Sequence, residues 1–327
     1  MSEIYKGVVI DTDLTKKSNG GTEQMRSRLL NNVDPELLKE VSIHFSRPTT
    51  IREDVPNVLY LHDLPEDPAV QMLRTDFHKF DCFVFVSYWQ RDQYIQRFNL
   101  PYSRCVVIQN AIESQFKGYV DKPSDKIRFI YHTTPHRGLE ILFPVFSKLC
   151  ETYDNLHLDV FSSFEVYGWG QRDVPYRPLF NAIESHPNMT YHGAQPNDVV
   201  LDALEKSHVF LYPSIWKETS CIALIEAMTK GVLSIYPSYG ALPETGSLVS
   251  NFGMYEYDED INRHATQAYH MAAQVIEKQI ADPHFIPKAV NSTFRVSPHE
   301  INSFRSDWES LLKTIIIGRS NIHGRKE

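Results

Sequence analysis

Two glutamates, Glu218 and Glu226, stand on either side of the start of a predicted helix, 219–230. Thr219 or Ser220 is suited to cap that helix. A helix N-terminus at the end of a parallel strand favours phosphate, because its free N–H groups and its dipole attract anions. The two carboxylates would lie roughly 12 Å apart along the helix axis, about the span of a nucleoside diphosphate sugar. Carboxylates accept hydrogen bonds from vicinal diols, so the pattern indicates a sugar-nucleotide site. A surface helix with two acidic residues is the alternative that the spacing leaves open.

Short β-rich runs alternate with amphipathic runs along the chain, in two series separated by the polar segment 117–126. Strands that alternate with helices are typical of parallel sheets covered on both faces. The sequence therefore predicts the α/β class, with two Rossmann-like doubly wound domains that face a cleft. The predicted strands are 5–11, 55–62, 81–87, 104–110, 127–132, 156–162, 189–193, 208–213 and 232–237. The predicted helices are 22–31, 89–98, 138–152, 197–206, 219–230, 261–280 and 297–317.

Two further motifs follow the second glutamate: EAMTKG at 226–231 and, after a strand, SYGALPE at 238–244. Their order and spacing resemble the E-x7-E signature of the retaining, family-four-like glycosyltransferases of the GT-B fold, the group 1 glycosyl transferases. The resemblance implies that Glu218 contacts the donor sugar and Glu226 the ribose. It also implies that the diphosphate is bound by the backbone of Thr219, Ser220 and Cys221.

The same resemblance suggests how the chain is divided. Residues 1–118 would form a reduced N-terminal domain with about four strands, on the acceptor side. Residues 119–296 would form the domain that binds the nucleotide sugar. Residues 297–317 would form a helix that packs back on the N-terminal domain, with Ser297 as its N-cap and a loose tail after it.

Two motifs near the N-terminus are similar to elements of the same family. The segment NGGTEQM at 19–25 resembles a glycine-rich loop, in which Gly20 and Gly21 would give room and unusual backbone angles beside the donor. His62 lies at the end of a predicted strand, and the family often has a histidine there near the transferred sugar. A simple turn at the glycines and a structural histidine are the alternatives.

Arg137 resembles the second of two cations with which the family binds the diphosphate. The first cation is missing, and Tyr131 or His132 lies near its place. Lys217 or His136 could assist Arg137. Gly193, in YHGAQPND at 191–198, resembles a loop that borders the nucleobase through its backbone.

The predicted function is transfer of a hexosyl or pentosyl group, with retention, from a nucleoside diphosphate sugar to a hydroxyl acceptor. The acceptor could be a glycan, a lipid, a small molecule or a modified nucleobase. Four other functions are competing hypotheses: a phosphorylase, a nucleotide-sugar epimerase, a phage-type DNA-base glycosyltransferase and a non-catalytic binding module. We expect neither a metal nor a cofactor, because Asp11-Thr12-Asp13 matches a metal motif only as text and lies at the first strand.

Composition limits the other classes of function. The chain has 327 residues and a formal net charge of -8, which does not favour a large nucleic-acid footprint. Neither a secretory signal nor a run of roughly 18 apolar residues is apparent. The four cysteines show no C-x-x-C spacing. We therefore expect a cytoplasmic protein without a membrane span.

The string LPETG at 242–246 spells a cell-wall sorting signal. Such a signal needs an apolar stretch and a basic tail after it, whereas polar and acidic residues follow here. We interpret the segment as the turn after the strand 232–237, with Glu244 holding the loop rather than contacting a ligand.

Overall fold

A computed structural model describes residues 2–5, 8–11, 20–48, 50–113, 121–246, 252–291 and 299–323. The chain divides into two compact units. The first unit comprises Met1–Glu113 and Ser297–Glu327, and the second comprises Ser114–Val296. The sequence had placed the first boundary after residue 118, and residues 114–120 lie outside the described part of the chain.

The first unit contains a six-stranded sheet in which the strand order follows the chain order, and only the first pair is antiparallel. Its strands are β1 (Ser2–Tyr5), β2 (Val8–Asp11), β3 (Ser42–Phe45), β4 (Asn57–Leu61), β5 (Cys82–Phe85) and β6 (Cys105–Val107). Its first helices are α1 (Gly21–Asn32), α2 (Pro35–Lys39), α3 (Leu73–Asp76) and α4 (Tyr88–Phe98).

Strands β1 and β3 are absent from the predicted set, so the N-terminal sheet has more strands than the sequence indicated. Strand β3 is fully buried but contains two polar residues, Ser42 and His44. The His44 Nε2 atom lies 3.2 Å from Ser42 Oγ and 3.0 Å from Asn57 Oδ1 on β4. Hydrogen bonds across the sheet thus allow a polar segment to become a core strand.

The second unit contains a six-stranded parallel sheet with the order β12-β11-β10-β7-β8-β9. Its strands are β7 (Ile127–Tyr131), β8 (Leu156–Val160), β9 (Met189–Tyr191), β10 (Val209–Leu211), β11 (Leu233–Pro237) and β12 (Met254–Tyr255). Its helices are α5 (Leu139–Thr152), α6 (Arg177–Glu184), α7 (Asn197–Lys206), α8 (Ile222–Thr229), α9 (Leu242–Gly246), α10 (Ile261–Ala281) and α11 (Phe285–Asn291). The strand order reverses between β7 and β10, and ligands of open α/β sheets bind at such a point, outside the carboxyl ends of the strands.

The last helix, α12 (Ile301–His323), belongs to the first unit although it ends the chain. Its Trp308 side chain is fully buried, with the ring centroid 5.0 Å from that of Tyr60 on β4. Just before the helix, His299 Nδ1 lies 2.7 Å from the Asn110 carbonyl oxygen. The predicted N-cap Ser297 lies outside the described residues, and the helix begins at Ile301.

The predicted α/β class with parallel sheets is confirmed in both units. None of the described helices combines the length and apolar content that a bilayer span requires.

Candidate functional site

The loops that follow β7 and β10 meet at the reversal point of the second sheet. Gly138 has φ +133°, and a Cβ atom there would lie 2.2 Å from the Pro213 carbonyl oxygen. The backbone N–H of Ile215 donates to the Arg137 carbonyl oxygen at 3.2 Å. Only glycine permits this backbone contact, and the contact brings the turn Pro135–Arg137 against the loop that carries Glu218.

Glu218 is a buried carboxylate, 3% exposed, that two donors hold by one oxygen. Its Oε1 atom accepts from Arg137 Nη1 and from the Tyr212 hydroxyl, each at 2.5 Å. No hydrogen bond to the second oxygen, Oε2, comes from any described residue. The carboxylate therefore has a fixed orientation and one oxygen left for a ligand.

The charge of Arg137 depends on that carboxylate. Burial disfavours the charged guanidinium, but the neighbouring Glu218 outweighs burial and holds the Arg137 pKa well above its usual value. The Tyr212 pKa is also raised, by burial first and by the Glu218 charge second. Tyr212 thus remains a neutral donor and Arg137 a permanent cation at any physiological pH.

The backbone of Glu218 is fixed by the segment that contains LPETG. Gly240 has φ +59°, and a Cβ atom there would lie 2.7 Å from the Glu218 carbonyl oxygen. The Ala241 N–H donates to that same oxygen at 2.8 Å. The following residues form helix α9, in which Thr245 is 3% exposed. The Thr–Gly bond of the apparent sorting signal is therefore buried, and Glu244 is half-buried in the same turn.

Helix α8 begins later than the sequence predicted. Its N-cap is Cys221, in an extended conformation, and no side-chain hydrogen bond caps it. The prediction that Thr219 or Ser220 caps the helix is wrong, because the chain from Pro213 to Cys221 is held in an irregular loop by its contacts with neighbouring turns. The free N–H groups of the helix start are accordingly those from Ile222 onward. The separation estimated from helical rise does not apply either, because residues 219–221 are not helical and α8 begins at Ile222.

Glu226, on α8, is the second buried carboxylate of the site. Its Oε1 atom accepts from Asn197 Nδ2 at 3.0 Å, and its Oε2 atom lies 4.0 Å from His132 Nδ1. Burial lowers the pKa of His132 to about 3, so this imidazole is neutral at pH 7. The Tyr131 hydroxyl donates to the Thr134 carbonyl oxygen at 3.0 Å. Neither Tyr131 nor His132 therefore supplies the missing first cation.

Within the described part of the chain, several buried polar atoms at the carboxyl ends of β7 and β8 have no hydrogen-bond partner. They are His132 Nε2, Thr134 Oγ1, His136 Nδ1, Arg137 Nε and Ser162 Oγ. Buried polar groups are normally hydrogen-bonded, so their concentration at one edge of the sheet indicates a place for a polar ligand. The sequence did not predict four residues of the site, because no local pattern marks them: Thr134, Ser162, Asn197 and Tyr212.

Gly193 follows β9 at the same edge of the sheet, with φ +64°. A Cβ atom there would be 3.9 Å from the Tyr191 ring, so the position is open rather than crowded. Oδ1 of Asp159 accepts a hydrogen bond from Nε2 of the preceding residue, His192, at 2.8 Å, and the His192 ring stacks on Phe161. Gly193 thus lies two strands away from β7, along the edge that carries Arg137.

The remaining predicted residues, Gly20, Gly21 and His62, belong to the first unit. Gly20 is the N-cap of α1 with φ -73°, and Gly21 begins the helix, so the expected unusual backbone angles are not found. The His62 ring packs against Tyr60 and Phe45 at centroid distances of 4.2 and 5.8 Å. Burial lowers the His62 pKa to about 3 and keeps the ring neutral. Asp11 ends β2, whereas Thr12 and Asp13 lie outside the described residues.

The α/β fold with its two sheets is the fold of the GT-B glycosyltransferases. Residues 111–247 match the model of the family glycosyl transferases group 1.

The curated relatives match about half of this chain at low identity. One is a phosphatidylinositol N-acetylglucosaminyltransferase subunit of Arabidopsis thaliana, 26% identical over 182 residues, which cover 53% of this chain and 38% of that protein. The Homo sapiens protein of the same name is 24% identical over 164 residues, which cover 49% of this chain and 32% of that protein. The match thus spans well under half of each relative.

Solved structures show the same fold over most of the chain. A glycosyltransferase from Rickettsia africae superposes with a TM-score of 0.64 and 14% identity, covering 90% of this chain and 80% of that one. Anabaena HepE in complex with UDP-glucose gives a TM-score of 0.61 and 15% identity, covering 80% and 72% of the two chains.

Proposed function

We propose that this chain transfers a sugar from a nucleoside diphosphate sugar to a hydroxyl acceptor, with retention at the anomeric carbon. The observation that carries the proposal is the Glu218 carboxylate, whose Oε1 atom is held by Arg137 and Tyr212 at the reversal point of the sheet. The orientation of Oε2 is thereby fixed before a ligand binds, as expected for a group that must position a sugar hydroxyl.

The remaining groups of the site fit the other parts of such a donor. Glu226, held by Asn197, would bind the ribose hydroxyls. The first N–H groups of α8 and the Nε atom of Arg137 would stabilise the diphosphate as it leaves. For Gly20, Gly21, His62, Gly193 and the backbone of Thr219–Cys221, the donor-side roles stay predictions.

We propose a UDP-sugar as the donor and test UDP-N-acetylglucosamine first. The choice is supported by similar proteins: one solved structure contains UDP-glucose, and another is a pneumococcal O-GlcNAc transferase with UDP and GlcNAc. The curated relatives are named as components of N-acetylglucosaminyltransferases. The acceptor class stays open among glycan, lipid, small molecule and modified nucleobase, and the cytoplasmic location stays a prediction.

The test begins with thermal shift of the protein against UDP-, GDP- and ADP-sugars. A donor at 100 times its dissociation constant should stabilise the protein by about 2.7 kcal/mol. The same donor is then incubated with glycan, lipid and nucleic acid acceptors, and the anomeric configuration of the product is read by NMR. We expect Glu218→Gln to abolish transfer and Glu184→Gln, at an exposed site on α6, to leave it unchanged.

Different outcomes identify the competing functions. Donor conversion without any acceptor would indicate an epimerase, and dependence on inorganic phosphate would indicate a phosphorylase. Binding without turnover would indicate a binding module. Transfer that survives EDTA would support the proposed independence from metal.

A further inference from the structure

The charges described at the reversal point do not by themselves favour an anionic ligand. Glu218 and Glu226 are two buried carboxylates, and the single arginine, Arg137, is committed to Glu218. The His132 pKa of about 3 and the His136 pKa of about 4 leave both imidazoles neutral at pH 7. A diphosphate would add further negative charge, so another cation is required nearby.

A segment rich in aromatic residues, 163–176, leaves the carboxyl end of β8 and folds back on itself. The Asp173 carboxylate accepts from the Phe164 N–H at 2.8 Å and from the Ser163 hydroxyl at 2.5 Å. The Phe164 ring stacks on His136, with centroids 5.1 Å apart. His136 directly precedes Arg137 in the turn Pro135–Arg137. The stacking therefore places the segment that carries Arg172 beside the turn that carries Arg137.

Arg172 is oriented by an aromatic ring rather than by a carboxylate. Its guanidinium carbon lies 4.4 Å from the centroid of Trp169, and the Trp169 ring contacts Tyr167 at 5.2 Å. Within the described ranges, no acidic group lies within ion-pair distance of Arg172. A guanidinium that stacks on an aromatic face keeps its in-plane N–H groups available for phosphate oxygens.

The field at His136 supports this placement. Burial, then Arg137 and then Arg172 lower the pKa of the His136 imidazole to about 4. The charges of Arg137 and Arg172 are thus both close enough to the His136 imidazole to lower its pKa.

Lys217 is the competing cation, and its surroundings differ. Its Nζ atom lies 5.9 Å from the centroid of Tyr239, which follows β11 and stacks on Tyr257. In the sheet order, β11 and β8 lie on opposite sides of the β10–β7 pair. The Lys217 amine thus lies beside a residue that follows β11, whereas the segment that carries Arg172 follows β8.

We propose that Arg172 is a donor-binding residue, an additional cation on the diphosphate beside Arg137, supplied by the 163–176 segment and held in place by Trp169. The inference rests on the proposed function, since it names the group that neutralises the donor.

The test compares the affinities of uridine, UMP and UDP by calorimetry for the full chain and for Arg172→Gln. A charge-assisted hydrogen bond to phosphate implies that UDP binding weakens about 10-fold or more, with uridine unchanged. Arg177→Gln, which removes an exposed arginine at the start of α6, is the matched control and should bind UDP as the wild type does. Lys217→Gln tests the competitor and should also bind normally.

Equal UDP affinity in the wild type and Arg172→Gln would overturn the inference while leaving the proposed function intact. So would an equal loss for uridine and UDP, which would assign the effect to the base or to folding of the segment. A loss confined to Lys217→Gln would transfer the role to Lys217. If the wild type binds none of UDP, GDP and ADP, the proposed function falls, and this inference falls with it.

Discussion

Replacing Arg137 by glutamine removes the charge that compensates a buried carboxylate. Breaking a fully buried ion pair typically costs about 3–5 kcal/mol, because the other charge is left without a partner. Here the Arg137 side chain is 22% exposed, and Tyr212 still donates to Glu218 Oε1. We therefore expect Arg137→Gln to lower the free energy of unfolding of the second unit by about 2–3 kcal/mol.

A double-mutant cycle separates the contribution of the Arg137–Glu218 ion pair to the free energy of unfolding from a simple loss of packing. Glu218→Gln removes the carboxylate charge but keeps an oxygen that Tyr212 can donate to, and should cost about 1–2 kcal/mol. With both changes, no buried charge lacks a partner, so the double variant should be more stable than the sum of the single losses predicts. We expect a coupling energy of about 1–2 kcal/mol.

The assay must read the second unit alone, because a chain with two units need not unfold in one step. Hydrogen exchange followed by mass spectrometry serves this purpose, since peptides from β7 and β10 report local opening of that sheet. Protection of β4 and β5 in the first unit is the internal control. Single variants that each cost under about 0.5 kcal/mol, with no coupling, would refute the reasoning, since such values are typical of a solvent-screened surface pair.

Three further predictions concern the support around the site and the docking of the last helix. Gly240→Ala should lower transfer and destabilise the second unit by about 2 kcal/mol or more, because a Cβ atom would lie 2.7 Å from the Glu218 carbonyl oxygen at φ +59°; full activity of this variant would contradict the contact. Burial lowers the pKa of His299 from 6.5 to about 4. As the pH falls, the unfolded chain therefore binds a proton at this residue before the folded chain does. The free energy of unfolding should fall by about 1.4 kcal/mol for each pH unit between these two pKa values. His299→Gln should flatten this slope in denaturation curves between pH 7 and 4, and an unchanged slope would exclude the residue. Trp308→Ala should destabilise the first unit by about 3–5 kcal/mol in exchange experiments, whereas a small loss would show that α12 contributes little to that core.

The sequence predicted best where strands are apolar throughout. Strands β5 and β10 lie within predicted runs, because their residues alone require burial on both faces of a parallel sheet. Strand β3 was missed because Ser42 and His44 become acceptable in a core only through Asn57, a partner thirteen positions or more away. Pattern reasoning cannot supply such a partner.

The irregular parts of the second unit were hardest to predict. The segment 163–176 consists of 3₁₀ turns held by the Asp173 side chain, and no helical or strand periodicity reveals it. The start of α8 was misplaced because Thr219 and Ser220 are good capping residues locally. Tertiary contacts to Gly138 and Gly240 hold the preceding loop in another conformation, so the helix begins at Ile222.

The sequence indicated the two carboxylates of the candidate site but not the residues that hydrogen-bond to them. Glu218 and Glu226 were identified from spacing and motif, and Arg137 from its place before a glycine. The sequence placed Arg137 on the phosphate alone, whereas in the structure its Nη1 atom also holds Glu218. Tyr212 lies at the end of an apolar strand and Asn197 at the start of an amphipathic helix. Only the topology brings either of them to a glutamate.

Three separate elements fix Glu218 before any ligand is present. The end of β10 supplies Tyr212, the turn after β7 supplies Arg137, and the loop after β11 fixes the backbone through Gly240 and Ala241. A carboxylate ordered in this way loses little further side-chain entropy when a sugar hydroxyl binds to it. Loss of any one element should therefore change the orientation of Oε2 without removing the charge, so transfer should fall more steeply than donor affinity. We therefore infer that SYGALPETG helps to position the Glu218 carboxylate, which we propose to bind the sugar. Its LPETG residues form the short helix α9 after this loop and not a sorting signal.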